Sequence, residues 1–257
     1  MRFPLYLTLI TAIGAWWAAL GMTESGERPT HANGLLPAVT DALRLTLAAG
    51  RWILATPSAW IIIAGGMWLD HLCRLFVTLN SAYFRLIGLP DASFGLIGSG
   101  IALVGFAVAR LASKLEQRSP PFNFALLTVL CLSGLAAAAW VLPFGLGLIP
   151  VALIHTALLL TGYLVSHYLN AVTDSSHRAT VLSFKGLAFN LGYGGIGLLY
   201  AGMLVALRDA AQIPVTESAI FRASLPWLFG YGVGTGLLIV AIAGVAVRKA
   251  STGLKPW

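Results

Sequence analysis

Long runs of apolar residues follow one another along this chain, and short polar segments separate them. The runs predict helices near residues 3–22, 58–82, 93–113, 121–142, 149–169, 181–207 and 226–247. Each is close to the roughly 20 residues that a helix needs to cross the hydrocarbon core of a bilayer. They are too long and too uniformly apolar for the strands of a membrane barrel. The pattern therefore predicts an all-α membrane protein with seven transmembrane helices.

Composition points to the same class of protein. Apolar residues make up 58% of the 257 residues and charged residues only 10%, against roughly 25% charged residues in a soluble domain. So few charges cannot form a water-facing shell, and we expect the apolar surface to contact lipid. The net charge of +7 does not indicate nucleic acid binding, because the basic residues lie between the apolar runs.

The first apolar run has two interpretations. Arg2, an apolar stretch and then small residues are typical of a secretory signal peptide. The run is long for the apolar part of such a peptide and contains Trp16 and Trp17. We favour a leading transmembrane helix in residues 1–22 and keep the signal peptide as the alternative.

Residues 23–57 form the one long polar segment, and residues 58–257 contain the other six apolar runs. Thr40 is a plausible N-cap for a short helix that ends near Pro57. One face of this helix would be mainly charged and would contain Asp41, Arg44, Ala48 and Arg51. Another face would be apolar and would contain Leu43, Leu47 and Leu54. We predict an amphipathic helix at the membrane surface, with a soluble linker helix as the alternative.

The positions of Lys and Arg predict the orientation. One side of the predicted topology collects Arg28, Arg44, Arg51, Arg110, Lys114, Arg118, Arg178, Lys185, Arg248, Lys249 and Lys255. The other side has Arg2, Arg85, Arg208 and Arg222, and Arg74 lies inside a span. By the positive-inside rule, the 23–57 segment and the C-terminus are cytoplasmic and the N-terminus is outside, in a plasma or inner membrane.

Asp70 and Arg74 are ionisable residues near the middle of the second predicted span. A charge there costs about 2.5–3.5 kcal/mol on the insertion scale, so it needs a role or a partner. Residues four apart share a helix face, so these two can pair. Two interpretations stay open: a solute-binding or proton-coupling pair facing an aqueous pathway, or an ion pair that fastens neighbouring helices.

Other spans contribute further candidates. His155 lies in the outer half of the fifth predicted span, where it is either a proton relay or, as we favour, a helix-packing hydrogen bond. Asn190 lies near mid-membrane in a glycine-rich helix and is a candidate for lining the pathway. Tyr83, near the outer surface, is predicted to be an interfacial anchor.

Soluble catalytic chemistry is not predicted. The sequence contains no Gly-x-Ser-x-Gly and no His-Glu-x-x-His motif. Cys73 and Cys131 lie inside apolar runs, which is typical of buried free thiols. We expect neither an enzyme nor a bound cofactor or metal, and an intramembrane enzyme is the third-ranked alternative.

The third and sixth predicted spans are similar to each other. The matching pairs are Phe94/Phe189, Leu96/Leu191, Gly100/Gly195, Ile101/Ile196 and Leu103/Leu198. Spans three helices apart cross the membrane in opposite directions, so this similarity indicates an inverted-topology repeat.

Two junctions between spans resemble those of major facilitator superfamily transporters. The run from Arg178 to Ser183, followed by a glycine-rich helix, resembles the junction of that family's tenth and eleventh helices. A second segment resembles the junction of the family's seventh and eighth helices. It contains Leu79, Asn80 and Ser81, followed by Tyr83, Arg85, Gly88, Pro90, Phe94 and Gly95. The 23–57 segment resembles the central cytoplasmic loop. The resemblance covers the chain as helix six, that loop and helices seven to twelve.

This resemblance implies a six-helix half-bundle with a 3+3 inverted repeat, and secondary transport of a small solute. Asp70, Arg74, Asn190 and His155 would line the solute and ion pathway. In the cytoplasmic loops, Arg110, Lys114 and Arg178 would contribute to gating. Gly105, Arg110 and Lys114 match the family's basic loop motif, but Ala109 stands where an Asp is expected, which puts the usual gating salt bridge in doubt.

Such transporters hold the solute between two six-helix halves, and this chain resembles only the second. We therefore expect its partners to be membrane lipid, a small solute with or without proton coupling, and either an N-terminal six-helix half or a second copy. A gene fragment, one chain of a split permease and a dimer all fit. The alternative function is a non-transporting membrane fragment or an interaction scaffold.

Overall fold

A computed structural model describes residues 3–21, 35–143, 145–175, 177–210 and 216–251. Within these ranges 89% of the residues are α-helical and there is no β-strand. The helices are α1 (Phe3–Leu20), α2 (Leu35–Ala55), α3 (Pro57–Thr78), α4 (Asn80–Leu86), α5 (Phe94–Leu115), α6 (Pro120–Ala139), α7 (Leu148–Val172), α8 (Arg178–Ala210) and α9 (Glu217–Ser251). The prediction of an all-α protein is confirmed.

The chain divides into two compact units, residues 1–43 and 44–257. In the second unit six helices, α3 and α5 to α9, are long and apolar enough to cross a membrane. They indicate a multi-pass membrane protein. The first unit contains α1, an apolar helix of 18 residues, and its crossing of the membrane stays a prediction.

Two predicted segments differ from the observed helices. The predicted span 58–82 is divided at Leu79, where α3 ends and the short helix α4 begins. The last span begins at Glu217 instead of residue 226, and Pro226 lies inside α9. Proline lacks only one helical donor, so a long transmembrane helix continues through it when neighbouring groups satisfy the freed carbonyl.

The expected N-cap at Thr40 is wrong. Helix α2 begins at Leu35, so Thr40 lies inside it. The apolar positions Leu43, Leu47 and Leu54 are exposed, which leaves the surface-helix prediction open. The end of α2 packs within the second unit through another face, where Ala49 and Ile53 are buried.

Helix α3 forms the centre of the bundle. Of the 18 consecutive residues that form its most apolar stretch, 61% are buried. The corresponding share is 6% in α5 and 11% in both α8 and α9. Its neighbours are α6, α7, α8 and α9, while α5 packs mainly on α7. Gly66 makes the α3–α7 approach close, since a Cβ there would lie 2.6 Å from Cγ2 of Val165.

The short helix α4 is anchored by a buried tyrosine. Tyr83 is fully buried and lies against Phe76, with ring centroids 5.2 Å apart. Its expected position as an interfacial anchor is therefore wrong. Burial raises the pKa of its hydroxyl to about 12. The chain leaves α4 through Gly88, whose φ of 83° suits glycine and whose neighbour Leu89 donates to the Phe84 carbonyl.

Candidate functional site

The ion pair predicted on α3 is present. Nη2 of Arg74 lies 2.7 Å from both carboxylate oxygens of Asp70 and donates to Oδ1. The two residues are four apart, so successive turns of α3 bring them together. The Asp70 side chain is 6% exposed and that of Arg74 33%. The carboxylate is therefore buried, whereas the guanidinium paired with it is partly accessible from outside the bundle.

Helix α8 completes the coordination of this guanidinium. Nη1 of Arg74 donates to Oδ1 of Asn190 at 2.9 Å. The guanidinium carbon also lies 5.5 Å from the ring centroid of Tyr193, within the range of a cation–π contact. The Tyr193 hydroxyl lies 2.9 Å from that of Thr78, one turn beyond Arg74 on α3. The structure thus brings Asp70, Arg74 and Asn190 together.

A second cation belongs to this cluster, and the sequence analysis assigned it to the basic cytoplasmic side. Nζ of Lys185 donates to Oγ of Ser166 on α7 at 2.7 Å and lies 5.4 Å from the ring centroid of Phe189. The Phe189 ring in turn packs on α3, where a Cβ at Gly66, one turn before Asp70, would lie 3.0 Å from its Cζ. The signal that could have found it is its position: Lys185 lies inside the predicted span 181–207, five residues before Asn190.

The described contacts of His155 lie outside the cluster of Asp70, Arg74 and Asn190. Its Nδ1 lies 2.9 Å from the Val151 carbonyl, which can only accept, so Nδ1 carries the proton and Nε2 is free to accept. The Asn80 amide nitrogen lies 3.5 Å from that Nε2. Among the described contacts none joins His155 to Asp70, Arg74 or Asn190. This geometry favours the helix-packing interpretation.

The residues predicted for gating occupy one end of the bundle. Arg110 and Lys114 are exposed near the end of α5, and Lys114 lines a surface groove of about 580 Å³ beside α6. Arg178 begins α8 and its Nε donates to the Thr173 carbonyl, at the end of α7, at 3.2 Å. It therefore fastens the α7–α8 connection.

A different residue joins α5 to α7 at this end. Oε2 of Glu116 accepts a hydrogen bond of 2.7 Å from the Tyr163 hydroxyl and lies 3.7 Å from Nδ1 of His167. The Tyr163 and His167 rings stack in parallel, 6.4 Å apart. These contacts hold the end of α5 against α7.

The described residues contain no group of three or more His, Cys, Asp or Glu side chains that could hold a metal ion. Cys73 and Cys131 are buried free thiols with their sulfurs 3.5 Å apart, as predicted. His71 is buried on another face of α3, with Nδ1 donating to the Met67 carbonyl.

No family model matches this chain, and neither does any curated protein or solved structure. The site is therefore interpreted from its own residues. Arg74 pairs with Asp70 and Asn190, and Lys185 donates to Ser166, where α3, α7 and α8 meet. Asp70 follows the start of α3 by 13 residues, about 20 Å at 1.5 Å per residue. A charge this far from the end of a membrane-spanning helix is at the depth of the hydrocarbon core, where it needs water, a partner or a ligand.

Proposed function

We propose that this chain forms a six-helix half-bundle of a secondary transporter of the major facilitator type, and that it moves a small solute across the membrane. The observation that carries the proposal is the charged cluster of Asp70, Arg74 and Asn190, which joins α3 to α8 at membrane depth. Charged groups inside membrane-spanning segments are costly, and they commonly mark solute and ion pathways.

The openness of this face supports the same function. Arg74 is one-third exposed, while Asn190 and Thr78 are exposed. Lipid cannot hydrogen-bond these groups, so contact with hydrocarbon would be unfavourable. Six further helices would cover them and enclose an aqueous pathway. Those helices belong to the same polypeptide, to a separate chain or to a second copy.

The pairing of the helices supports an inverted repeat. The six most extensive helix pairs are α6·α7, α3·α7, α3·α8, α6·α9, α5·α7 and α3·α9. Exchanging α3 with α7, α5 with α8 and α6 with α9 converts this set into itself. Helices exchanged in this way would cross the membrane in opposite directions, as in inverted repeats of transporters.

The internal sequence similarity follows the same exchange. Phe94 begins α5, and its match Phe189 lies in α8, which is a shift of 95 positions (189 minus 94). The same shift takes α3, which starts at Pro57, to residue 152, close to the start of α7 at Leu148. Sequence and packing thus support one arrangement of two three-helix units.

Transport is tested by producing the chain together with an N-terminal six-helix half in vesicles and screening solutes for uptake and efflux. Asp70→Asn and Arg74→Ala are expected to abolish any flux that the assembly gains. The control is Arg85→Ala, because Arg85 pairs with Asp91 outside the cluster. Flux that is unchanged in both cluster variants would remove the site from the proposal and favour a non-transporting scaffold.

The aqueous pathway is tested without knowledge of the solute. In a Cys73→Ala, Cys131→Ala background, Asn190→Cys is treated in native membranes with a charged, membrane-impermeant thiol reagent. We expect it to react much faster than Leu237→Cys, a matched position that is exposed on α9 and that we expect to contact lipid. Equal, slow reaction at both positions would mean that no water reaches the cluster.

A further inference from the structure

We propose that the solute bound at this site is a small organic monoanion whose carboxylate is held between Arg74 and Lys185. This inference rests on the proposed function and adds the chemical class of the solute. It is carried by the charge balance of the cluster, by the partners of Lys185 and by the position of Asp70.

The charge balance comes first. Arg74 and Lys185 are cations, and Asp70 is the carboxylate that pairs with Arg74. Glu116, at the end of α5, is engaged by Tyr163 and His167. Among Arg74, Lys185 and Asp70 one positive charge is therefore unbalanced, and a monoanion would neutralise it.

Lys185 is the unbalanced cation. Among the described residues its contacts are a neutral hydroxyl, Ser166, and an aromatic ring, Phe189. It forms no salt bridge within 4.0 Å there, whereas Arg74 does. An ammonium group that gives up its hydration inside a membrane needs an anion or retained water. A carboxylate in front of it would supply both charge and hydrogen-bond acceptors.

Asp70 acts as the resident competitor for this anion. It occupies one edge of the Arg74 guanidinium through Oδ1. Its buried Oδ2 lies 2.7 Å from Nη2 of the same guanidinium. A solute carboxylate entering from the open face would approach the exposed part of Arg74 and would be repelled by Asp70. Removing the negative charge of Asp70 should therefore tighten binding.

The surrounding groups suit a carboxylate more than a cation. Asn190 and Tyr193 lie beside Arg74 and can each donate a hydrogen bond through the amide or the hydroxyl. A cationic solute would meet two cations before it reached the buried carboxylate. The site therefore selects anions by repulsion as well as by attraction.

The test is equilibrium binding to the full chain in nanodiscs of zwitterionic lipid. The probes are benzoate, benzamide and benzylammonium, which share a ring and differ in head-group charge, with acetate as a ringless carboxylate. We expect binding of benzoate, acetate or both, and none of benzamide or benzylammonium. Binding of either of these two in preference to the carboxylates, or of no probe at all, overturns the inference.

The variants locate the bound anion. Lys185→Gln should weaken carboxylate binding by about 10- to 100-fold, the usual worth of a charged hydrogen bond, while Lys185→Arg should retain it. Asp70→Asn should strengthen binding. The matched control is Arg222→Gln, which removes one positive charge at an exposed position of α9 and should leave binding unchanged. Unaltered binding in Lys185→Gln, with helicity intact by circular dichroism, would contradict the site.

The two proposals fail separately. Carboxylate binding that depends on Lys185, without flux in any assembly, would leave the anion site standing and remove transport. Flux of a neutral or cationic solute that depends on Asp70 and Arg74 would support the transporter and remove the anion. Binding is read at equilibrium, so its result does not depend on the partner half.

Discussion

Substituting Gly66 with alanine should destabilise the bundle, although alanine normally favours a helix by about 1 kcal/mol over glycine. The added Cβ would lie 2.6 Å from Cγ2 of Val165 on α7 and 3.0 Å from Cζ of Phe189 on α8. Ordinary contacts begin near 3.5 Å, so the overlap approaches 1 Å. Both neighbours are buried, Val165 completely, and neither can withdraw without moving its helix.

Overpacking of this kind costs typically 1–3 kcal/mol. Because two helices are displaced at once, we expect the upper part of that range, about 2–3 kcal/mol before the helix-propensity gain of about 1. The net destabilisation is therefore about 1–2 kcal/mol. The matched control is Gly244→Ala on α9, where a Cβ would have no atom within 4 Å, and it should be neutral or stabilising.

The assay is thermal unfolding of the purified chain in one detergent. Gly66→Ala should lower the melting temperature by a few degrees, since about 1 kcal/mol corresponds to roughly 2–4 °C at this chain length. Val165→Ala removes both clashing methyl groups, so the double variant should be more stable than the sum of the two changes predicts. A rise in melting temperature for Gly66→Ala, or additive losses in the double variant, would refute the α3–α7 packing.

Three further predictions concern buried groups. Arg74→Met should destabilise the chain more than Arg74→Met combined with Asp70→Asn, since only the single variant leaves a buried carboxylate unpaired; melting temperatures of both decide this. Tyr83→Phe should cost little, because no described residue bonds its hydroxyl, and tyrosinate absorbance should lose one group titrating near pH 12. Since the folded-state pKa is raised above the usual value near 10, the parent chain should lose stability as pH rises from 10 to 12, and Tyr83→Phe should lose less. Cys73 and Cys131 should resist N-ethylmaleimide until the chain is unfolded, and labelling of either cysteine in the folded chain would contradict their burial.

The spans were predictable because lipid leaves few choices. Once an apolar run reaches about 20 residues, an internally hydrogen-bonded helix is the form that satisfies its backbone. The i,i+4 spacing also sufficed to pair Asp70 with Arg74, since that contact is local to one helix. The sequence indicated Asn190 only as a candidate for lining the pathway, because its contact with Arg74 depends on which face of α8 meets α3.

The contacts that the sequence analysis missed are those between helices. Glu116 and Tyr163 are 47 positions apart, and nothing in either segment indicates that α5 packs on α7. Tyr83 resembled an interfacial anchor because of its position near a span end, yet α3 ends before it and Tyr83 is buried on α4 against Phe76. Such outcomes depend on tertiary packing, which overrides local pattern.

The distribution of burial gives these polar contacts a common physical role. Helices α5 and α8 bury little of their surface, and α3 much more. Arg74–Asn190 and Lys185–Ser166 attach α8 to the better packed α3 and α7, and Glu116–Tyr163 attaches α5. Because Arg74 and Asn190 are partly or fully exposed, water or a ligand can replace such contacts. Under the proposed transport function, a ligand that takes over Arg74 and Lys185 would loosen α8 from α3 and α7, which is the coupling that a moving helix requires.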